Sequence, residues 1–153
     1  MQTLDIKALS DYFRGREDVA AAYLFGSAKG GRVREGGDVD VAVLYRAKPR
    51  PAQVMRTVAD IVDVTGVECV DVVTLNTAEP ILAVEALRGR LLCRNDAEAA
   101  AAQFSLACRE YEDVMAQIER QRQWARELRT ARGLKRSPRR LKQPRTMAPR
   151  RPS

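Results

Sequence analysis

Within LFGSAKGGRVREGGDVDVAVLY, ten residues separate Gly26-Ser27 from Asp38-Val39-Asp40, and these are residue types that handle phosphate and divalent metal. A Gly-Ser turn closing an apolar strand presents backbone N–H groups to phosphate oxygens. Two carboxylates alternating along the next strand project to one face, with Val39 and Val41 on the other, and can hold a divalent cation between them. Together they describe a nucleoside triphosphate site. A third carboxylate stands in Cys69-Val70-Asp71-Val72-Val73, an otherwise apolar strand suited to lie beside the one that carries Asp38 and Asp40. An acid there is costly to bury unless a cation or hydrogen-bond donors meet it. Three aspartates converging from neighbouring strands repel one another, and Mg2+, which takes oxygen ligands from both protein and phosphate, relieves that repulsion. Taken singly, each has a plainer reading: Asp38 and Asp40 as the polar face of an edge strand, Asp71 as a solvated or hydrogen-bonded strand residue.

The elements that must position these groups alternate. Residues 3–14 place Leu4, Ile6, Leu9, Tyr12 and Phe13 at helical spacing, and 19–25 and 39–44 read as buried strands joined by a glycine-rich connection. Lys48-Pro49-Arg50-Pro51 stops the chain and restarts it as a helix over 52–64, with proline tolerated in the first turn. A third strand is expected at 68–75, a short helix after Pro80, a fourth strand at 90–93 and a long helix over 97–128. This is an α/β (α+β) pattern: a small mixed sheet flanked by helices. In the long helix Phe104, Cys108, Tyr111, Met115 and Ile118 form one apolar stripe at spacings of three and four. Two readings stand for it, core packing against the sheet and a partner-binding face.

The length of 153 residues suits one domain with a real core. The net charge of +7 is local: nine Lys and Arg and no acid follow from Arg132 onward, leaving 18 basic against 20 acidic residues in 1–131. The expected organisation is therefore a domain over 1–131 and a proline-containing basic tail over 132–153, disordered in isolation. Such a tail is either a solvated extension or an arm for RNA, DNA or an acidic protein surface, bound in a salt-dependent way. Cys69, Cys93 and Cys108 lie in apolar segments without a CxxC or Cys/His grouping, so they are expected as buried small hydrophobes and not as zinc ligands or disulfides. The first residues are too charged for a secretory leader, and no apolar run approaches the roughly 18 residues that cross a bilayer. The expectation is a cytoplasmic protein without membrane contact.

Gly26-Ser27, ten residues, Asp38-x-Asp40 and a later-strand Asp71 resemble the nucleotidyltransferase fold of the DNA polymerase beta superfamily. Size and layout resemble its minimal nucleotidyltransferase branch, the MntA-like antitoxins paired with HEPN-domain toxins. The match covers residues 19–75, and LRGRLLCRNDAEAAAAQF and ACREYEDV also look like that branch, with lower specificity. The resemblance implies an Mg2+-dependent enzyme that moves AMP from ATP to a tyrosine hydroxyl of a partner HEPN ribonuclease toxin and silences it. It implies two Mg2+ ions held by Asp38, Asp40 and Asp71, with Asp71 also taking the acceptor's proton, and Gly26 and Ser27 on the β- and γ-phosphates. Arg32 and Arg34 are candidates to neutralise the departing pyrophosphate, or else solvated loop residues. Many members carry Ser or Thr before the first aspartate, where this chain has Gly37. HEPN toxins use an Arg and a His, and this chain has no histidine, which excludes the toxin half. Two other functions stay open: a nucleotidyltransferase for a small molecule such as an aminoglycoside, and a non-catalytic antitoxin that acts by binding.

Overall fold

The structure is a computed structural model and describes residues 1–133, so residues 134–153, nearly all of the expected basic tail, lie outside the described residues. The elements are β1 (Gln2–Thr3), α1 (Ile6–Arg14), β2 (Val19–Phe25), β3 (Arg32–Val33), β4 (Val39–Tyr45), α2 (Pro51–Thr65), β5 (Val70–Thr74), α3 (Pro80–Leu87), β6 (Arg90–Arg94) and α4 (Ala97–Ala131). They follow the sequence pattern. Two strands were not legible in it, β1 and β3, which pair antiparallel over two residues each. Such short strands leave no periodicity to read.

Helix starts match their residue types. Asp5 accepts from the Ala8 N–H at 2.9 Å at the head of α1, and Asp96 accepts from the Ala99 N–H at 3.0 Å at the head of α4. Pro51 and Pro80 each occupy a first helical turn, where a missing N–H is harmless. Helix α2 ends on Gly66 in the left-handed region at φ 70°, with its N–H on the Val62 carbonyl.

The main sheet runs β5-β4-β2-β6, antiparallel except for the parallel β4/β5 pair that α2 connects. Helices cover both of its faces. On one, Leu9 and Phe13 of α1 and Ile61 of α2 pack against Val39, Val41, Val43 and Tyr45. On the other, Ala83 and Ala86 of α3 and Ala100 and Ala107 of α4 pack against Tyr23, Phe25, Ala42 and Leu44. Burial of both faces explains why β2 reads as an unbroken apolar run and not as an alternation.

The face of α4 turned to the sheet is led by small residues, and it divides the apolar stripe: Tyr111 packs against this core and Cys108 is half-buried, whereas Phe104 is exposed. Ala100 and Ala107 are buried, and Gln103 donates to the Leu75 carbonyl at 3.1 Å, whereas Phe104 and Met115 are 53% and 40% exposed. Alanines allow the helix to lie close to an alanine-rich sheet face, and Phe104, one residue after Gln103 and so ~100° round the helix from it, stays exposed. Met1–Val114 forms one compact unit, and a second begins at Met115 with the distal part of α4, where Arg126 meets Glu119 at 3.1 Å. Of the cysteines, Cys93 is buried and Cys108 half-buried. Cys69 is exposed, against expectation, because it precedes β5 at the edge of the sheet.

Candidate active site

The parity of β4 decides which way its acids point. Val39, Val41, Val43 and Tyr45 belong to the α1/α2 face, so Asp40 points to the α3/α4 face with Ala42 and Leu44. Asp38, two positions earlier, has the same parity. In the sheet Asp40 lies between two register partners, Phe25 at the end of β2 and Asp71 on β5. Asp71 alternates with Val70 and Val72, which pack toward α1/α2, so its side chain shares the face of Asp40.

Gly26 is the next contact. Immediately after β2 the backbone turns into a short 3-10 segment, Gly26–Ala28, with Gly26 at φ 71°, a conformation that disfavours side chains with a Cβ. A Cβ built there would stand 2.3 Å from Asp40 Oδ2. The Asp40 carboxylate therefore rests on the glycine backbone, and Ser27 follows it, exposed.

Asp40 is half-buried while Asp38 and Asp71 are exposed. Burial pushes the Asp40 carboxyl above the ordinary carboxylate range, and the negative charges of Asp71, Asp38 and Glu85 push it further the same way. Glu85, on α3, is a member of this acidic group that no motif in the sequence announces. The exposure of Asp71 revises one premise: an edge-strand acid in water carries no burial penalty of its own. Among the described residues no three His, Cys, Asp or Glu side chains stand close enough to ligate a single ion. The trio is thus an electrostatic cluster and not a preformed cage. Its donors still fit Mg2+, a hard cation that takes one or two protein carboxylates and completes its shell with water and substrate phosphate.

Beside this cluster a cavity of about 540 Å³ is lined by Gly26, Lys29, Glu85, Arg88, Gly89 and Tyr111, with Phe25, Ile81 and Val84 as its apolar wall. Gly89 is required here, because a Cβ would meet the Leu24 carbonyl oxygen at 2.4 Å. Lys29 Nζ donates to the Arg88 carbonyl at 3.0 Å, and the Arg88 guanidinium lies 6.0 Å from the centre of the Tyr111 ring. The sequence motifs did not reveal Lys29 or Arg88, and Tyr111 stood in the sequence only as part of the apolar stripe of α4.

Arg32 and Arg34 do not join this cavity. Arg32 is exposed on β3 opposite Thr3, and Arg34 lines a separate cavity of about 530 Å³ with Met1, Gly37, Glu68 and Cys69. No described helix is long and apolar enough to cross a membrane.

The polymerase beta nucleotidyltransferase family profile matches residues 7–98. No curated protein gives a significant match. Among solved structures, a toxin-antitoxin crystallised with AMP-PNP is 21% identical and covers 76% of this chain and 97% of its own at a TM-score of 0.58. A protein from Shewanella oneidensis is 18% identical over 80% of this chain and 96% of that one, also at 0.58. A toxin-antitoxin MntA-HpeT mutant with two aspartates changed to glutamate is 21% identical over 74% and 92%, at 0.53. These neighbours share the fold, and the family profile spans the Gly26 turn, the three aspartates and Glu85: the chain belongs to the polymerase beta nucleotidyltransferase family.

Proposed function

We propose that this chain is an antitoxin-type protein adenylyltransferase, which moves AMP from ATP to a tyrosine hydroxyl of a partner HEPN ribonuclease and so neutralises it. The observation that carries the reading is the Asp40 carboxylate seated on Gly26 and flanked by Asp38, Asp71 and Glu85. Such a concentration of negative charge beside a glycine turn suits a metal-bound triphosphate better than any neutral ligand. Support for an adenine nucleotide and a toxin-antitoxin setting comes from the fold neighbours, one a toxin-antitoxin with AMP-PNP and another a toxin-antitoxin mutant altered at two aspartates.

In the reaction the acceptor oxygen bonds to the α-phosphorus of ATP, the bond from that phosphorus to the bridging oxygen of pyrophosphate breaks, and the hydroxyl proton is released. Asp38, Asp40 and Asp71 would hold Mg2+, which supplies charge neutralisation on both the attacking and the leaving oxygens. Asp40 is fixed by its contact with Gly26 and orients the triphosphate. Asp71, exposed at the sheet edge, is accessible to an acceptor carried by another protein and takes its proton. Gly26 and Ser27 meet the terminal phosphates through the 3-10 turn. Cytoplasmic residence fits both ATP use and a ribonuclease partner.

The test is transfer of label from α-labelled ATP to the partner HEPN protein with Mg2+ present. Asp38→Asn and Asp40→Asn are expected to abolish it and to leave the ribonuclease active. Neutralisation undiminished in both variants would show restraint by binding alone. Pyrophosphate release on adding an aminoglycoside, with no protein acceptor, would move the assignment to a small-molecule enzyme.

A further inference from the structure

The expected phosphate-neutralising arginines, Arg32 and Arg34, lie away from the Gly26 cavity, and two other cations line it. Lys29 comes from the turn after β2 and Arg88 from the end of α3. They are already tied together, Lys29 Nζ to the Arg88 carbonyl at 3.0 Å, which among the described residues leaves Lys29 two further donors and the Arg88 guanidinium all of its own. The guanidinium is steered by the face of Tyr111. Glu85 lines the same cavity and its charge bears on Asp40, so the cavity is within electrostatic reach of the acidic cluster.

We infer that Lys29 and Arg88 form the subsite that receives the terminal two phosphates of the nucleoside triphosphate and holds the departing pyrophosphate, with Tyr111 as the residue that positions Arg88. This rests on the proposed nucleotidyl transfer for its substrate and adds to it the residues that hold the leaving group. The charge balance favours it, two cations against the single carboxylate of Glu85 in the cavity lining. The acids around Asp40 repel a polyphosphate, and the cavity wall offers the two cations where the Gly26 turn would deliver its far end. A guanidinium binds two phosphate oxygens at once, and an ammonium serves as a point charge beside it. Because Tyr111 lies on α4, the long helix then takes part in nucleotide binding.

The probe is inorganic pyrophosphate, titrated calorimetrically with Mg2+ and compared with ATP and with adenosine. Lys29→Gln and Arg88→Gln are each expected to weaken pyrophosphate and ATP roughly tenfold, the scale of one charge-assisted hydrogen bond, and to leave adenosine unchanged. Tyr111→Ala should weaken pyrophosphate several-fold, with Tyr111→Phe, which keeps the ring, restoring it. Arg34→Gln is expected to bind as the parent does. Protection of Lys29 from amine acylation by pyrophosphate, read by peptide mass spectrometry on the unaltered protein, needs no variant to fold. Unchanged pyrophosphate affinity in Lys29→Gln and Arg88→Gln, or an acylation rate at Lys29 indifferent to pyrophosphate, overturns the assignment. Binding is measured without an acceptor, so transfer to a HEPN protein can fail while this result holds, and the converse is equally distinguishable.

Discussion

Replacing Gly26 by alanine tests the geometry at the centre of the site. Two penalties arise, and they separate cleanly. The residue sits at φ 71°, where an L side chain costs about 1–2 kcal/mol. Its Cβ would also lie 2.3 Å from Asp40 Oδ2, so the carboxylate must retreat by about 1 Å to reach an ordinary contact of 3.4 Å. A catalytic group displaced by ~1 Å loses on the order of 100-fold in rate. Gly36 supplies the control, since it has the same φ of 71° but nothing within 4 Å of a built Cβ. Both Gly26→Ala and Gly36→Ala are therefore expected to lower the melting temperature by about 3–8 °C. Only Gly26→Ala should also lose AMP transfer and Mg2+-dependent ATP affinity. The assays are thermal unfolding by circular dichroism and single-turnover transfer from labelled ATP. If the folded Gly26→Ala protein transfers AMP at the rate of Gly36→Ala, the Asp40 contact with the turn does not position the carboxylate, and the reasoning from this site fails.

Other expectations concern the scaffold. Arg16 is buried and grips Asp18 through two hydrogen bonds of 2.7 Å, which holds the Asp18 carboxyl down at about 2 against an ordinary 3.8. The lowered value stabilises the fold above pH 3.8, and this is lost as pH falls through 2; Asp18→Asn should cost about 1–2 kcal/mol at neutral pH, after allowing for partial exposure, with the deficit closing toward pH 2 in urea titrations. A pH-independent deficit would refute that account. The Asn95 amide shares its two N–H groups among the carbonyls of Phe13, Arg16 and Val19 at 3.0–3.2 Å, so Asn95→Ala should lose about 1–2 kcal/mol with these hydrogen bonds, read as a shifted urea midpoint. Gly89→Ala forces a Cβ to within 2.4 Å of the Leu24 carbonyl oxygen and is expected to destabilise by about 1–3 kcal/mol, with lower soluble yield. Thiol labelling should proceed quickly at exposed Cys69 and at Cys93 only on unfolding, because burial both hides that thiol and raises its pKa.

The order of helices and strands, the turn at Gly26-Ser27 and the paired acids at 38 and 40 were legible in the sequence, because each depends on neighbours within a few positions. Periodicity, proline placement and the fixed alternation of a strand are local rules, and they carried the family resemblance with them. The assembly of distant segments was legible only in part. The apolar run around Asp71 marked a strand suited to lie beside that of Asp38 and Asp40, and the parallel β4/β5 pairing places Asp71 opposite Asp40. Glu85, Lys29, Arg88 and Tyr111 come together from α3, the turn and α4 through packing of alanine surfaces that no residue type announces. The same packing left Phe104 exposed, where its place in the apolar stripe had been open to both a core and a partner-binding reading. Sequence fixed which side chains could meet a phosphate or a cation, and only the tertiary structure decided which of them stand at one place, since that depends on close contact between elements far apart along the chain.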